Sequence, residues 1–257
     1  MAAQVSDVVL RTHALVKKFG GITATNKVSL DILRGARHAL IGPNGAGKTT
    51  LINQLTGVLP PTSGRVELQG RDITDLAPHK RVGLGLVRTF QINQLFGTLT
   101  PLQSLALAVA GRVGAAHRWW RPMGADAAIA TECEALLAQF RLLEHADKPT
   151  LELPYGKRRL LEIALAVAQQ PRVLLLDEPA AGVPAGERAD ILATVAALPG
   201  DVSVVLIEHD MDLVFSFATR ITVLVNGTVL TEGDPRTIAA DPQVKAVYLG
   251  ETAVAHG

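Results

Sequence analysis

Disulfides cannot hold this chain together: Cys133 is its only cysteine in 257 residues, which suits a reducing compartment. A surplus of charge is also missing. The 25 basic and 24 acidic residues leave a net charge of +1, which argues against nucleic acid as a bulk electrostatic partner. No apolar run is long enough to span a bilayer; the richest stretch, Leu102 to Ala116, is cut by Gln103 and Arg112. The N-terminal segment lacks the basic, apolar and small-residue pattern of an export signal. Repeats and low-complexity segments are absent too. The expectation is a protein soluble by itself, so that any membrane role reaches it through partners. What is present is 48% hydrophobic, enough for one large α/β domain with a substantial core or for two intimately packed subdomains.

Residues Val8 to Phe19, Val28 to Ile32 and Arg37 to Ile41 alternate in the manner of strands. A turn at Pro60-Pro-Thr-Ser-Gly64 leads into a short strand, Arg65–Leu68, and a second turn at Gly70, which predicts an antiparallel β layer. From about Thr98 to Ala168 the sequence becomes rich in Ala and Leu and reads as a helical insertion, with an amphipathic helix over Thr131 to Leu143. Short apolar runs return at Val173–Leu176, Val202–Ile207 and Ile221–Val225, separated by helix-like sequence, as in a parallel sheet covered on both faces. Asn226-Gly227 predicts a hairpin joining Ile221–Val225 to Thr228–Thr231. The whole chain, 1–257, reads as a single domain.

The strand at Arg37–Ile41 runs into Gly42-Pro43-Asn44-Gly45-Ala46-Gly47-Lys48-Thr49, then Thr50 and a helical stretch to Thr56 closed by Gly57. This fits G-x-x-x-x-G-K-[ST], a loop whose backbone N–H groups surround nucleotide phosphates. Lys48 would reach the β- and γ-phosphates, and the Thr49 hydroxyl would ligate Mg²⁺. Strand, loop and helix are the setting the motif requires, because the helix N-terminus then points its dipole at the anion.

More elements follow in order: Gln91 in Arg88-Thr-Phe-Gln91; Leu153-Pro154-Tyr155-Gly156-Lys157 opening a helix through Ala164; Asp177-Glu178-Pro179 after Leu174-Leu-Leu; and Glu208-His209-Asp210 after another apolar strand. In this order and spacing the chain resembles the ATP-binding cassette (ABC) family, over roughly residues 8 to 250. The resemblance implies an α/β P-loop NTPase core with a mostly parallel sheet, an antiparallel β subdomain and a helical subdomain. It also implies ATP and Mg²⁺ as ligands. Asp177 would hold Mg²⁺ largely through water, and Glu178 would be the general base for the attacking water. Gln91 would approach metal and water and report nucleotide state to a partner, and His209 would contact the γ-phosphate and steady Glu178. Phe19 matches the aromatic that stacks on adenine; packing in the core is its other reading.

Two departures stand out. The family signature Leu-Ser-Gly-Gly-Gln, which serves the ATP of the partner subunit, appears here as Leu153-Pro154-Tyr155-Gly156-Lys157. Pro154 has neither a hydroxyl nor an amide N–H to offer, while Gly156, the helix N-terminus and the cation of Lys157 remain. Downstream, Ala181-Gly-Val-Pro184 stands where the family usually ends in Leu-Asp. Val87-Arg-Thr-Phe-Gln-Ile-Asn-Gln-Leu-Phe96, Leu99-Thr-Pro-Leu-Gln-Ser-Leu105, Tyr155 to Ala164, Asp177-Glu-Pro-Ala-Ala-Gly182 and Val247-Tyr-Leu-Gly-Glu251 are similar to the larger ATPase of branched-chain amino acid importers. Relatives in that group import urea, short amides or aromatic acids.

That resemblance implies a heterodimer with a second ABC ATPase subunit, two transmembrane permease subunits, an extracytoplasmic solute-binding protein, and a place on the cytoplasmic face of the inner membrane. No nucleic acid partner is expected. A cassette ATPase without a permease, acting in repair or translation, is the alternative; those usually carry two cassettes or long insertions. A small-molecule kinase would leave Leu153–Lys157, Glu178 and His209 unexplained. His117-Arg-Trp-Trp-Arg-Pro122 reads either as an anchor at lipid headgroups or as a turn whose tryptophans, Trp119 and Trp120, cover a small core or a subunit contact.

Overall fold

The computed structural model describes residues 7–89, 95–114 and 127–254. In chain order, β1 (Val8–Phe19), β2 (Ile22–Leu33) and β3 (Arg37–Ile41) precede α1 (Lys48–Thr56). Then come β4 (Ser63–Leu68), β5 (Arg71–Asp72), α2 (Pro78–Gly83), β6 (Leu86–Arg88), α3 (Pro101–Arg112), α4 (Ala127–Gln139) and α5 (Tyr155–Val167). The rest alternates: β7 (Val173–Asp177), α6 (Ala185–Ala196), β8 (Ser203–Ile207), α7 (Met211–Phe217), β9 (Arg220–Val225), β10 (Thr228–Gly233), α8 (Pro235–Ala240) and α9 (Pro242–Val254). One sheet is antiparallel, ordered β2-β1-β4-β5; the other is ordered β10-β9-β3-β8-β7-β6. In the second, β9, β3, β8, β7 and β6 run parallel and only β10 pairs antiparallel, across the Asn226-Gly227 turn.

Alternation within the parallel strands separates the core into layers, because successive side chains point to opposite faces. Leu40, Val173, Leu175, Val205 and Ile207 face α1 and the antiparallel sheet. Leu174, Leu176, Val204 and Leu206 face the opposite way, into a cluster built with α3, α4, α5 and α6. Ala39, Ile41, Ile221 and Val223 pack under α7, α8 and α9. The predicted helical block from about residue 98 supplies α3, α4 and α5 among the described residues.

Element edges differ from the expectation where backbone pairing or caps outweigh side-chain pattern. The strand expected over Val28–Ile32 starts at Ile22, since Phe19, Lys18 and Lys17 pair with Ile22, Thr23 and Thr25 through an irregular ribbon, exposed at its tip and without clean alternation. The amphipathic helix expected over Thr131–Leu143 spans Ala127–Gln139 instead. Arg141 adopts φ 54°, a left-handed turn that ends the helix, although Phe140 and Leu142 stay buried and so prolong the apolar period. In α3, Thr100 accepts from the Gln103 N–H and Gln103 returns the bond, with Pro101 in the first turn.

The strand that feeds the glycine loop carries a buried polar network. His38 on β3 is fully buried; its Nε2 lies 2.8 Å from Thr222 Oγ1, which donates to Glu232 Oε2 at 2.9 Å. That leaves the imidazole to donate through Nε2. Burial pushes His38 down from 6.5 to about 4, Glu232 opposing the shift and Arg220 adding to it. Because the folded value lies below the unfolded one, the unfolded chain takes up the proton first. Stability should therefore be fully present above pH 6.5 and be lost as pH falls from 6.5 towards 4, at up to about 1.4 kcal/mol per pH unit. Urea denaturation at several pH values in that window, for wild type and His38→Gln, checks this. The variant should show a shallower slope; equal slopes would count against it.

Candidate active site

The glycine loop is shaped by close backbone approach. At Gly42, φ is +151° and a Cβ would lie 2.0 Å from the Leu224 carbonyl; at Gly47, φ is +97° and a Cβ would lie 2.3 Å from the Ala24 carbonyl. The hairpin turn fastens the loop from the same side: Gly227 N–H donates to Ala46 O at 2.9 Å, and Gly227 O accepts from Asn26 N–H at 2.7 Å. The other side is open, since a Cβ at Gly45 would meet nothing within 4 Å. There α1 begins, with no acidic residue in its first turn to compete for its N–H groups. Lys48 is buried, and its ammonium donates to the carbonyls of Gly42 and, at 2.9 Å, Pro43. Asn44 and Thr49 are exposed and Thr50 is half-buried. An open cradle of backbone N–H groups, a helix N-terminus and an ammonium fit the phosphates of a nucleotide.

The carboxylates sit where the neighbouring parallel strands end. Asp177, the last residue of β7, is 3% exposed, and its Oδ2 accepts from Arg88 Nη2 at 2.6 Å. The other arm of Arg88 reaches Asn53 Oδ1 on α1, also at 2.6 Å. Glu178 follows with φ 49°, a left-handed conformation costing a non-glycine residue roughly 1–2 kcal/mol. Its N–H donates to Ile207 O at 2.9 Å, and its Oε1 contacts His209 Nε2. Glu208 accepts from Ala180 N–H at 2.9 Å and His209 N–H at 3.2 Å. Burial pushes the Glu208 carboxyl up, and those two N–H groups hold it partly back. Since β3, β8 and β7 are adjacent, the loop and Glu178 emerge from the same sheet edge about 10 Å apart, two strand spacings. Among the described residues no group of His, Cys, Asp and Glu forms a metal cluster. One carboxylate and one hydroxyl, Asp177 and Thr49, suit an ion that keeps its waters and binds phosphate oxygens, as Mg²⁺ does.

The remaining predicted residues are dispersed. Gln91 lies outside the described residues, as do Trp119 and Trp120. Phe19 ends β1 with 50% of its surface exposed and Lys17 Nζ 5.4 Å from its ring centroid, so it does not pack in the core. Leu153 is buried, and Pro154 precedes the first turn of α5 with no side-chain cap. The Tyr155 hydroxyl donates to Ala181 O at 3.2 Å, and a Cβ on Gly156 would strike Glu187 Oε2 at 2.1 Å. The Lys157 ammonium is engaged by the Arg141 carbonyl at 3.0 Å.

Arg88, Asn53, Glu208 and Arg159 are site residues the sequence reasoning did not single out. The signal for Arg88 was a cation closing the apolar strand Leu86-Val87. For Arg159 it was a charge, with Glu162 three residues on, set among the apolar positions of α5.

Comparison with known proteins bears on this geometry. A family model described as ABC transporter matches residues 25–181, and one described as branched-chain amino acid ATP-binding cassette transporter matches residues 228–254. The high-affinity branched-chain amino acid transport ATP-binding protein BraF of Pseudomonas aeruginosa is 39% identical, over 95% of this chain and 98% of that protein. The corresponding protein LivG of Escherichia coli K12 is 37% identical over 96% and 99%. Among solved structures, the ADP conformation of MJ1267, an ATP-binding cassette of an ABC transporter, superposes with a TM-score of 0.83 at 31% identity, over 95% of this chain and 99% of that one. The first match spans both the glycine loop and the carboxylates at the end of β7, and this chain belongs to the ABC transporter family of ATP-binding cassettes.

Proposed function

We propose that this chain is the ATP-hydrolysing subunit of an importer for branched-chain amino acids or a related small polar or aromatic solute. The observation that carries the catalytic reading is the contact between Glu178 and His209 at the sheet edge where the glycine loop also opens. The full-length match to relatives named for high-affinity branched-chain amino acid transport supports the solute class. Among the described residues no helix is long and apolar enough to cross a membrane. In this reading two permease subunits would hold the chain at the cytoplasmic face of the inner membrane. An extracytoplasmic binding protein would deliver the solute, and a second cassette subunit would complete a heterodimer.

In this reading the N–H groups of residues 42–49 surround the phosphates of ATP, and Lys48 turns from the loop carbonyls to the β- and γ-phosphates. Thr49 and Asp177 would hold Mg²⁺, which when bound neutralises charge on the phosphates. Glu178 orients the attacking water and takes its proton as the water oxygen bonds to the γ-phosphorus and the bond to the β-bridging oxygen breaks. His209 steadies the Glu178 carboxylate and meets the γ-phosphate. Gln91, outside the described residues, would serve the metal and the water. The exposed ring of Phe19 is free of the core to stack on adenine. The face at Leu153-Pro154-Tyr155-Gly156-Lys157 would meet the ATP of the partner.

Lys48→Ala should remove most ATP affinity, read by nucleotide titration, since it deletes the charge that meets the phosphates; unchanged affinity would mean the loop is not the site. Glu178→Gln should keep ATP binding and lower hydrolysis at its own site at least roughly a hundredfold. In the assembled importer the two ATP sites should differ. Pro154 offers the partner's ATP neither hydroxyl nor amide, and each lost bond to a charged phosphate is worth about 1.5–3 kcal/mol. Glu178→Gln should thus cripple transport-coupled ATPase more than the equivalent change in the partner. Equal losses, or a larger loss from the partner's change, would refute the asymmetry.

A further inference from the structure

Two side chains of α5 leave their own helix for the same short loop, and that loop starts with Glu178. Arg159 is 2% exposed; its Nη1 donates to Glu162 Oε2 at 2.7 Å and its Nη2 to the Glu178 carbonyl at 3.2 Å. One turn earlier on the same face, the Tyr155 hydroxyl donates to the Ala181 carbonyl at 3.2 Å. Between these two carbonyls, Ala180 N–H is taken by Glu208. The backbone from Glu178 to Ala181 is thus gripped at both ends by the signature helix and in the middle by the end of β8.

We propose that Arg159 and Tyr155 are positioning residues for Glu178, acting within one chain. Glu178 holds φ 49°, which a non-glycine residue keeps only when its surroundings over-determine it. That carbonyl also accepts from Ala181 N–H at 3.1 Å; holding it fixes ψ at Glu178 and so anchors the Cα from which the side chain leaves the end of β7. A buried guanidinium tied to Glu162 is a rigid anchor for that carbonyl. Position 155 of the usual signature is glycine, with no side chain to reach Ala181. The tyrosine that breaks the pattern is therefore the residue that makes the contact. Displacement of the first turn of α5, the part that would meet the partner's nucleotide, is carried through these two bonds to the base of this chain's own site. The inference rests on the reading of Glu178 as general base.

The test compares ATPase of the assembled transporter for Tyr155→Phe, Arg159→Met and Arg159→Lys, each alone and combined with Glu178→Gln, alongside nucleotide affinity and thermal melting. Tyr155→Phe should leave affinity and melting unchanged and lower kcat about threefold, the scale of one neutral hydrogen bond. Arg159→Met should lower kcat tenfold or more with KM little changed, and Arg159→Lys should recover part of the loss. Both effects should vanish once Glu178 is already glutamine, because residues acting through one group are not additive. Unchanged kcat in Tyr155→Phe and Arg159→Met, or the same fractional loss in the Glu178→Gln background, overturns the proposal; the latter would mean the residues act on the partner's ATP or on folding. If Arg159→Met does not fold, the half-exposed Tyr155→Phe decides by the same criteria. Near-normal turnover by Glu178→Gln alone would instead remove Glu178 as base, and this inference with it.

Discussion

A charge taken out of water must find a partner, and the carboxyl edge of the six-stranded sheet is organised by that requirement. Asp177, Glu208, Lys48 and Arg159 are all buried there. Each is met: Asp177 by Arg88, Glu208 by two backbone N–H groups, Lys48 by loop carbonyls, Arg159 by Glu162 and the Glu178 carbonyl. These partners come from β6, the loop after β3, α5, the loop after β7 and the end of β8. Meeting the need locally therefore ties together segments far apart in sequence. Arg88 is the clearest case, since its two arms join Asp177 to the helix that follows the glycine loop. A substitution that removes one partner would leave a buried charge behind, which costs several times what a surface pair contributes.

The glycine loop is held by a different means. Its fixed points are backbone atoms, with Gly42 against Leu224, Gly47 against Ala24, and Gly227 bonded to Ala46. Contacts at these distances leave no room for a Cβ, and positive φ removes any strain-free alternative. The Asn226-Gly227 hairpin therefore does more than connect β9 to β10. It presses a second backbone against the loop, so that the open side can present its N–H groups without reorganising.

The start of α5 joins two features. Outwardly it carries the altered signature, where Pro154 removes a donor; inwardly, Tyr155 and Arg159 grip the loop that begins at Glu178. The ammonium of Lys157 is drawn to Arg141 at the turn after α4. The departure from the usual signature and the contacts to the loop after β7 thus fall within the same few residues.

The sequence alone determined the elements whose cause is local. The strand, glycine loop and helix at residues 37–57, the Asn-Gly hairpin, and the apolar strands ending in Asp177 and near Glu208 were legible, because period, turn chemistry and caps act over a few residues. The order of the motifs made the family legible too. Tertiary structure decided what depends on distant partners. It extended β2 back to Ile22, which pairing with β1 imposes, and ended α4 at Gln139, where a left-handed Arg141 interrupts a period that burial continues. It also decided which way each charged side chain turns. Nothing near Arg88 or Arg159 in sequence announces Asp177 or Glu178 as the partner, since a buried charge selects whatever the fold brings within hydrogen-bond reach.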